Sequence, residues 1–226
     1  MIKAILLDIE GTIGDIAFVR DVLFPYARAR VEGVLKAHWT DAEITATVAS
    51  ARVASGLALA DAHAAAGQFI AWIDDDKKIT PLKSLQGIIW REGYQTGVLK
   101  AHLYLDAVEA MQTWHGRGLK LCIYSSGSVE AQKLYLAHCV AGDLAPLISG
   151  YFDTTTGPKA EPVSYSRIAA SLALPPNEIV FFSDAAAETQ AARAAGFEAF
   201  DVDRKLPSAH AANGVIASFA SVMDTF

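Results

Sequence analysis

Residues 2–7, Ile-Lys-Ala-Ile-Leu-Leu, form a short and nearly continuous apolar run that stops at Asp8. A run this short and this apolar reads as a strand buried on both faces, as strands of parallel sheets are. Similar runs at residues 119–124, 179–182 and 197–202 alternate with helical patterns at residues 107–116, 128–138, 161–172 and 185–195. Residues 151–153 read as a short strand or a turn. Ser128 is a candidate N-cap, Gly116-Arg117-Gly118 stops the first of these helices, and Gly196 closes the last. Strands alternating with helices at this spacing predict a doubly wound, Rossmann-like α/β parallel sheet.

Between about residues 18 and 99 the pattern is different. Ala-rich stretches with helical spacing, such as 42–54 and 58–73, follow one another, and no convincing strand appears. Pro25 falls early in one helical pattern and Pro81 breaks between others. The expected organisation is an α/β core of residues 1–15 and 101–226, interrupted by a helical insertion at 16–100. No internal repeat or low-complexity linker appears. The charge run at residues 74–78, Asp-Asp-Asp-Lys-Lys, is expected to be a solvated helix end or loop.

Composition narrows the function. Nineteen Lys and Arg against 25 Asp and Glu give a formal net charge of −6 over 226 residues. Such a balance argues against a phosphate-backbone footprint, so no nucleic-acid partner is expected. No long apolar run predicts a membrane span, and no basic, apolar segment with a cleavage site precedes the first strand. The expectation is a cytoplasmic monomer. Cys122 and Cys139 lack metal-ligand spacing and read as reduced, mostly buried thiols, and the six histidines show no ligand spacing.

Ligands of open α/β sheets bind beyond the carboxyl ends of the strands. There the sequence places Asp8-Ile9-Glu10-Gly11-Thr12, then Ser125-Ser126-Gly127-Ser128, and finally Ser183-Asp184, with Glu188 one helical turn later. Gly157-Pro158-Lys159 precedes another helix, where a positive charge opposes the macrodipole unless it faces an anion. Taken singly, each motif also fits a plain cap, turn or solvated side chain. Hydroxyls and N–H groups at a helix start can equally hold an anion, and strand-end carboxylates suit a hard cation.

In order and placement the four motifs resemble the haloacid-dehalogenase-type phosphatases, which carry Asp-x-Asp-x-Thr after the first strand. Then come a Ser or Thr, a Lys and a later acid. Glu10 departs from the common Asp. With that departure the chain resembles the acireductone synthase family, the bifunctional enolase-phosphatases of methionine salvage. Ile16-Ala17-Phe18-Val19, Leu23-Phe24-Pro25-Tyr26, the stretch from Leu82 to Gly87 with Trp90, and Phe152-Asp153-Thr154 all agree. So do Ser164-Tyr165 and, most specifically, the run from Ile123 to Leu134. The likeness weakens at residues 42–66 and after Asp201, where no role is assigned.

The resemblance implies a haloacid-dehalogenase-like core with a helical cap, and one Mg²⁺ per chain held by Asp8, the Glu10 carbonyl and Asp184. Asp8 would be the nucleophile and Glu10 the acid and base. Ser125, the Ser126 N–H and Lys159 would hold the phosphoryl oxygens. Glu188 would support Asp184 or a water on the metal, and Thr12 would stabilise the loop. Lys83, Gln86 and Trp90 would read the methylthio end of the substrate, with ordinary helix packing as their other explanation. The implied substrate is a small phosphorylated molecule, 2,3-diketo-5-methylthiopentyl-1-phosphate, and the product the acireductone 1,2-dihydroxy-3-keto-5-methylthiopentene. The alternatives are phosphatase action on another small ester, dehalogenase chemistry, and a silent binding module.

Overall fold

The computed structural model describes residues 1–209 and 211–226. The chain divides into two compact units, Met1–Ile16 with Lys100–Phe226, and Ala17–Leu99. Strand β1 (Ala4–Leu7) opens the first unit, and all four of its residues are buried. Two residues of the apolar run stay outside the strand, since Lys3 is exposed and pairs with Glu178.

The second unit is helical. A π-helical turn at Val19–Leu23 runs into α1 (Phe24–Ala37), followed by α2 (Ala42–Ser55), α3 (Ala62–Asp74) and α4 (Thr80–Gln95). Ala27, Val31 and Leu35 recur on one face of α1, and they share a core with Val48, Phe69, Leu85 and Ile89. The Val, Leu, Ile and Phe side chains among them contribute roughly 1.5–3 kcal/mol each when fully buried. α3 begins four residues after the expected start because Asp61 caps it, its carboxylate accepting the Ala64 N–H at 2.8 Å. Arg28 reaches from α1 to both oxygens of Asp74 at 2.6 and 2.8 Å, so the first acid of the charge run is an ion-pair partner. The rest of the run is exposed. No helix among the described residues is long and apolar enough to cross a membrane.

The first unit continues with α5 (Leu105–Gly116), β2 (Lys120–Tyr124), α6 (Val129–Ala137), β3 (Ile148–Phe152), α7 (Pro162–Leu172), β4 (Ile179–Ser183), α8 (Ala186–Ala194) and β5 (Glu198–Val202). Two short strands, β6 (Ala211–Ala212) and β7 (Val215–Ile216), complete a seven-stranded sheet of order β3-β2-β1-β4-β5-β7-β6. All pairings are parallel except β6 with β7. On one face Leu6, Cys122, Tyr124 and Phe181 pack against Tyr165, Ile168 and Ala192 from α7 and α8. On the other, Phe182 stacks on Trp114 of α5 at 5.7 Å. Both faces are therefore covered, which is why the central strands are apolar except at their ends, where Lys120 and Ser183 stand. Cys122 and Cys139 are buried free thiols.

Candidate active site

β1 lies between β2 and β4, so Asp8, Ser125 and Asp184 extend from three adjacent strand ends. Neighbouring strands are about 4.8 Å apart, so side chains leaving these ends share one small volume. The loop after β1 turns back at once: the N–H groups of Thr12, Ile13 and Gly14 all donate to the Ile9 carbonyl, at 3.2, 3.1 and 2.9 Å. Gly11 sits in this turn at φ +77°, and the space a Cβ would need is filled by the Asp184 carboxyl. The loop therefore requires glycine both for its backbone and for its close approach to Asp184. Thr12 is fully buried. Its hydroxyl donates to Asp8 Oδ2 at 3.1 Å and accepts the Asp184 N–H at 3.0 Å, joining two strand ends through one side chain.

Lys159 is buried, not solvated. Its Nζ lies 2.5 Å from Asp8 Oδ1 and 2.7 Å from Glu188 Oε2. The loop that carries it is held at four consecutive carbonyls. Thr156 O accepts from Arg167, Gly157 O from the Tyr124 hydroxyl, Pro158 O from Ser164 and Lys159 O from the Tyr165 hydroxyl, all between 2.7 and 2.9 Å. Such a cradle fixes the lysine in advance, so little side-chain entropy remains to be lost when it meets a ligand.

Glu10 and Ser125 meet directly, the Ser125 hydroxyl donating to Glu10 Oε2 at 3.2 Å while accepting the Gly127 N–H at 3.1 Å. Ser126 is exposed beside them. Ser128 caps α6, its hydroxyl accepting the Ala131 N–H. Glu188 makes two direct contacts beyond those the sequence suggests. Its carboxylate pairs with Lys159 and accepts from Ser183 at 2.8 Å, so its direct partners are the lysine and a strand-end hydroxyl, not Asp184. Lys83, Gln86 and Trp90 stand on α4 of the helical unit: Lys83 is exposed, Gln86 buried, and Trp90 donates its indole N–H to the Leu23 carbonyl at 2.9 Å.

Charge is the dominant feature of the cluster. Burial pushes the Asp8 carboxyl above the usual carboxylate range, Lys159 pulls it back, and Glu10 and Glu188 raise it further. Asp184 is raised by partial desolvation and then by Glu188 and Glu10. Burial alone would lower Lys159, but Asp8 and Glu188 outweigh it and keep the ammonium charged. Asp8 and Glu188 thus pair with one ammonium, and Glu10 and Asp184 add negative charge beside them. Extra positive charge would relieve them, and hard oxygen donors suit Mg²⁺. Among the described residues no three His, Cys, Asp or Glu side chains form a metal-holding group. Mg²⁺ commonly takes one or two carboxylates and completes its octahedron with waters. Asp8 and Asp184 are the carboxylates available for it.

Two contributors to this geometry are missing from the sequence reading: the cradle of Tyr124, Ser164, Tyr165 and Arg167, and Arg204, which donates to the Thr12 carbonyl. Ser164-Tyr165 stood out within the resembling stretches, but nothing near Arg204 marked it.

The haloacid dehalogenase-like hydrolase family model matches residues 2–196. Together with an acid, a hydroxyl, a lysine and a second acid at adjoining strand ends, that match sets the class of the protein as a haloacid dehalogenase-like hydrolase. Enolase-phosphatase E1 of Methylococcus capsulatus is 50% identical over 205 residues, 91% of this chain and 90% of that protein. Enolase-phosphatase E1 of Pseudomonas aeruginosa (strain UCBPP-PA14) is 49% identical over 222 residues, 98% of each. The UTR4 protein of Saccharomyces cerevisiae has a solved structure that superposes with a TM-score of 0.81 at 30% identity, covering all of both chains. L-2-haloacid dehalogenase from Xanthobacter autotrophicus shares the fold at a TM-score of 0.57 and 18% identity, covering 99% of this chain and 97% of that one. The chain therefore belongs to the enolase-phosphatase E1 family, a family of phosphatases.

Proposed function

We propose that this phosphatase is a Mg²⁺-dependent acireductone synthase of methionine salvage. It converts 2,3-diketo-5-methylthiopentyl-1-phosphate to 1,2-dihydroxy-3-keto-5-methylthiopentene and phosphate, by enolisation followed by dephosphorylation. The observation that carries the reading is the pairing of the buried Asp8 with Lys159 beside Glu10 and Ser125, on a chain half identical to enolase-phosphatases.

In the dephosphorylation Asp8 attacks phosphorus, the bond from phosphorus to the enol oxygen breaks, and Glu10 gives that oxygen its proton. Glu10 then takes a proton from water. The water oxygen attacks the phosphorus of the aspartyl-phosphate, and the Asp8 carboxylate is released with inorganic phosphate. The Ser125 hydroxyl, the Ser126 N–H and the Lys159 ammonium hold the phosphoryl oxygens as charge moves onto them. Lys159 leaves Asp8 Oδ1 for those oxygens when substrate binds, freeing one carboxylate oxygen to act. Asp8, Asp184 and the Glu10 carbonyl would hold Mg²⁺, which supplies charge neutralisation between an anionic nucleophile and an anionic ester and can stabilise an enediolate. Glu188 anchors Lys159 between turnovers.

The helical unit, inserted between the nucleophile loop and the rest of the core, serves as the cap. Lys83, Gln86 and Trp90 are its candidates for reading the methylthio end. Trp90 is tied to Leu23 and Gln86 is buried, which leaves the exposed Lys83 as the first of the three to test.

The test is anaerobic reaction of the purified protein with the diketo ester and Mg²⁺, following phosphate release and the ultraviolet absorbance of the enediol together. Both should rise for wild type and neither for Asp8→Asn. Phosphate release from other esters with no turnover of the diketo ester would contradict the substrate assignment.

A further inference from the structure

The segment after β5 lies outside the residues that the family model matches, yet one of its side chains reaches the nucleophile loop. Arg204 sends two N–H groups to a single carbonyl: Nε and Nη2 donate to Thr12 O at 3.0 and 2.6 Å. Its third edge is also used, Nη1 donating to Asp106 Oδ2 at 2.7 Å and to Ala217 O at 3.3 Å. The guanidinium carbon sits 4.3 Å from the Tyr104 ring centroid and 5.0 Å from that of Phe219. Asp106 Oδ2 is itself fixed by the Ser218 hydroxyl at 2.7 Å and the Phe219 N–H at 2.8 Å. The arginine is thus held on its edges and its faces, and its side chain is only 14% exposed.

What it holds is Thr12, whose other end ties Asp8 Oδ2 to the backbone of Asp184. From this geometry we infer that Arg204 is a positioning residue for the phosphatase reaction. By clamping the Thr12 carbonyl it keeps the nucleophile Asp8 in register with Asp184, and delivering it is a function of the chain beyond β5. The inference rests on the roles proposed above for Asp8 and Asp184. Planarity matters to the clamp. A lysine could keep one charged contact with Asp106 or with Thr12, but it cannot hold two converging planar donors on one carbonyl while pairing with an acid through a further N–H.

The test compares wild type, Arg204→Lys, Arg204→Ala and, as a control at an exposed neighbour, Lys205→Ala. Three readouts are taken on each: kcat and KM for the diketo ester in saturating Mg²⁺, the thermal midpoint, and hydrogen exchange of the peptide spanning residues 8–14. For Arg204→Lys we expect a thermal midpoint close to wild type, kcat lower by about tenfold, short of the loss expected for a full ångström of misplacement, and KM little changed. The amides of residues 8–14 should exchange about tenfold faster than in wild type, while those of the central strands keep their protection. Arg204→Ala should lose more kcat and more protection at residues 8–14, with a lower thermal midpoint because Asp106 loses its ion-pair partner, and Lys205→Ala should match wild type. Unchanged kcat together with unchanged exchange at residues 8–14 in Arg204→Lys overturns the proposal. So does a loss of kcat that merely follows a drop in thermal midpoint and protection across the whole sheet. If wild type turns over no phosphate ester, the phosphatase reading fails by itself, and the exchange of residues 8–14 still decides the clamp.

Discussion

Gly11→Ala should separate the requirements of the nucleophile loop from those of the rest of the fold. Gly11 has φ +77°, and an alanine there pays about 1–2 kcal/mol for the left-handed backbone. That is a modest fraction of the stability of an ordinary domain, so the variant should fold. The added Cβ would lie 2.7 Å from Asp184 Cγ and closer still to Oδ2, against 3.4 Å where ordinary contact begins. Cγ must therefore withdraw by about 0.7 Å and Oδ2 by more, or the loop must move by a similar amount. Either displacement separates Asp184 from Asp8, and misplacement on this scale costs about 10- to 100-fold in kcat. Steady-state kinetics on the diketo ester across a Mg²⁺ titration, with a urea melt of the same sample, measures both quantities. The predicted result is a large fall in kcat and weaker Mg²⁺ activation, with only a small shift in the urea midpoint. A kcat close to wild type with unchanged Mg²⁺ activation would refute the claim that Asp184 must stand where the Gly11 approach puts it.

Lys159→Ala removes the ammonium that pairs with Asp8 and Glu188, so kcat should fall by about 10²–10³, the cost of losing one preorganised donor to the reacting group. A rate near wild type would show that Lys159 serves the resting pair alone. Asp106 offers a pH test. Burial would raise its carboxyl, but hydrogen bonds from Ser218, Arg204 and the Phe219 N–H hold it below the usual range. Its contribution to stability is therefore complete above the unfolded value of about 3.9 and is lost as pH falls through the lower folded value. Asp106→Asn should flatten the fall of the urea midpoint below about pH 4, and an unchanged acid limb would contradict this. Burial pushes the Cys122 thiol up to about 12, so it should react with a thiol reagent at pH 8.5 only as fast as the sheet opens. Rapid labelling of folded protein at Cys122 would count against that burial.

The sheet was legible because its central strands are buried on both faces and so carry no polar interruptions. β3 was harder to see. Ser149 and Gly150 interrupt its apolar pattern, and its register against β2 shifts between Leu121 and Cys122. β6 and β7 have two residues each and are defined by pairing, β7 with β5 and β6 with β7, information that no local pattern contains. Asp8, Glu10, Ser125, Lys159 and Asp184 drew attention because each follows an apolar run or precedes a helix. Their partners could not. Thr12 to Arg204 spans 192 positions, and the hydroxyls that hold the Lys159 loop come from a strand and a helix whose packing alone would explain Tyr124 and Tyr165. The contacts of Glu188 with Lys159 and Ser183 were not legible, since one helical turn from Asp184 does not say which way its carboxylate points.

The central claim is that Asp8 carries the phosphoryl group. Excess enzyme mixed with the diketo ester and Mg²⁺, quenched in acid within one turnover and digested, allows the peptide containing residues 4–14 to be weighed. The prediction is a fraction of that peptide heavier by one phosphoryl group, with fragmentation locating it on Asp8, and none in Asp8→Asn. Full phosphate release with no phosphorylated peptide at any quench time, together with an active Asp8→Asn variant, would contradict it.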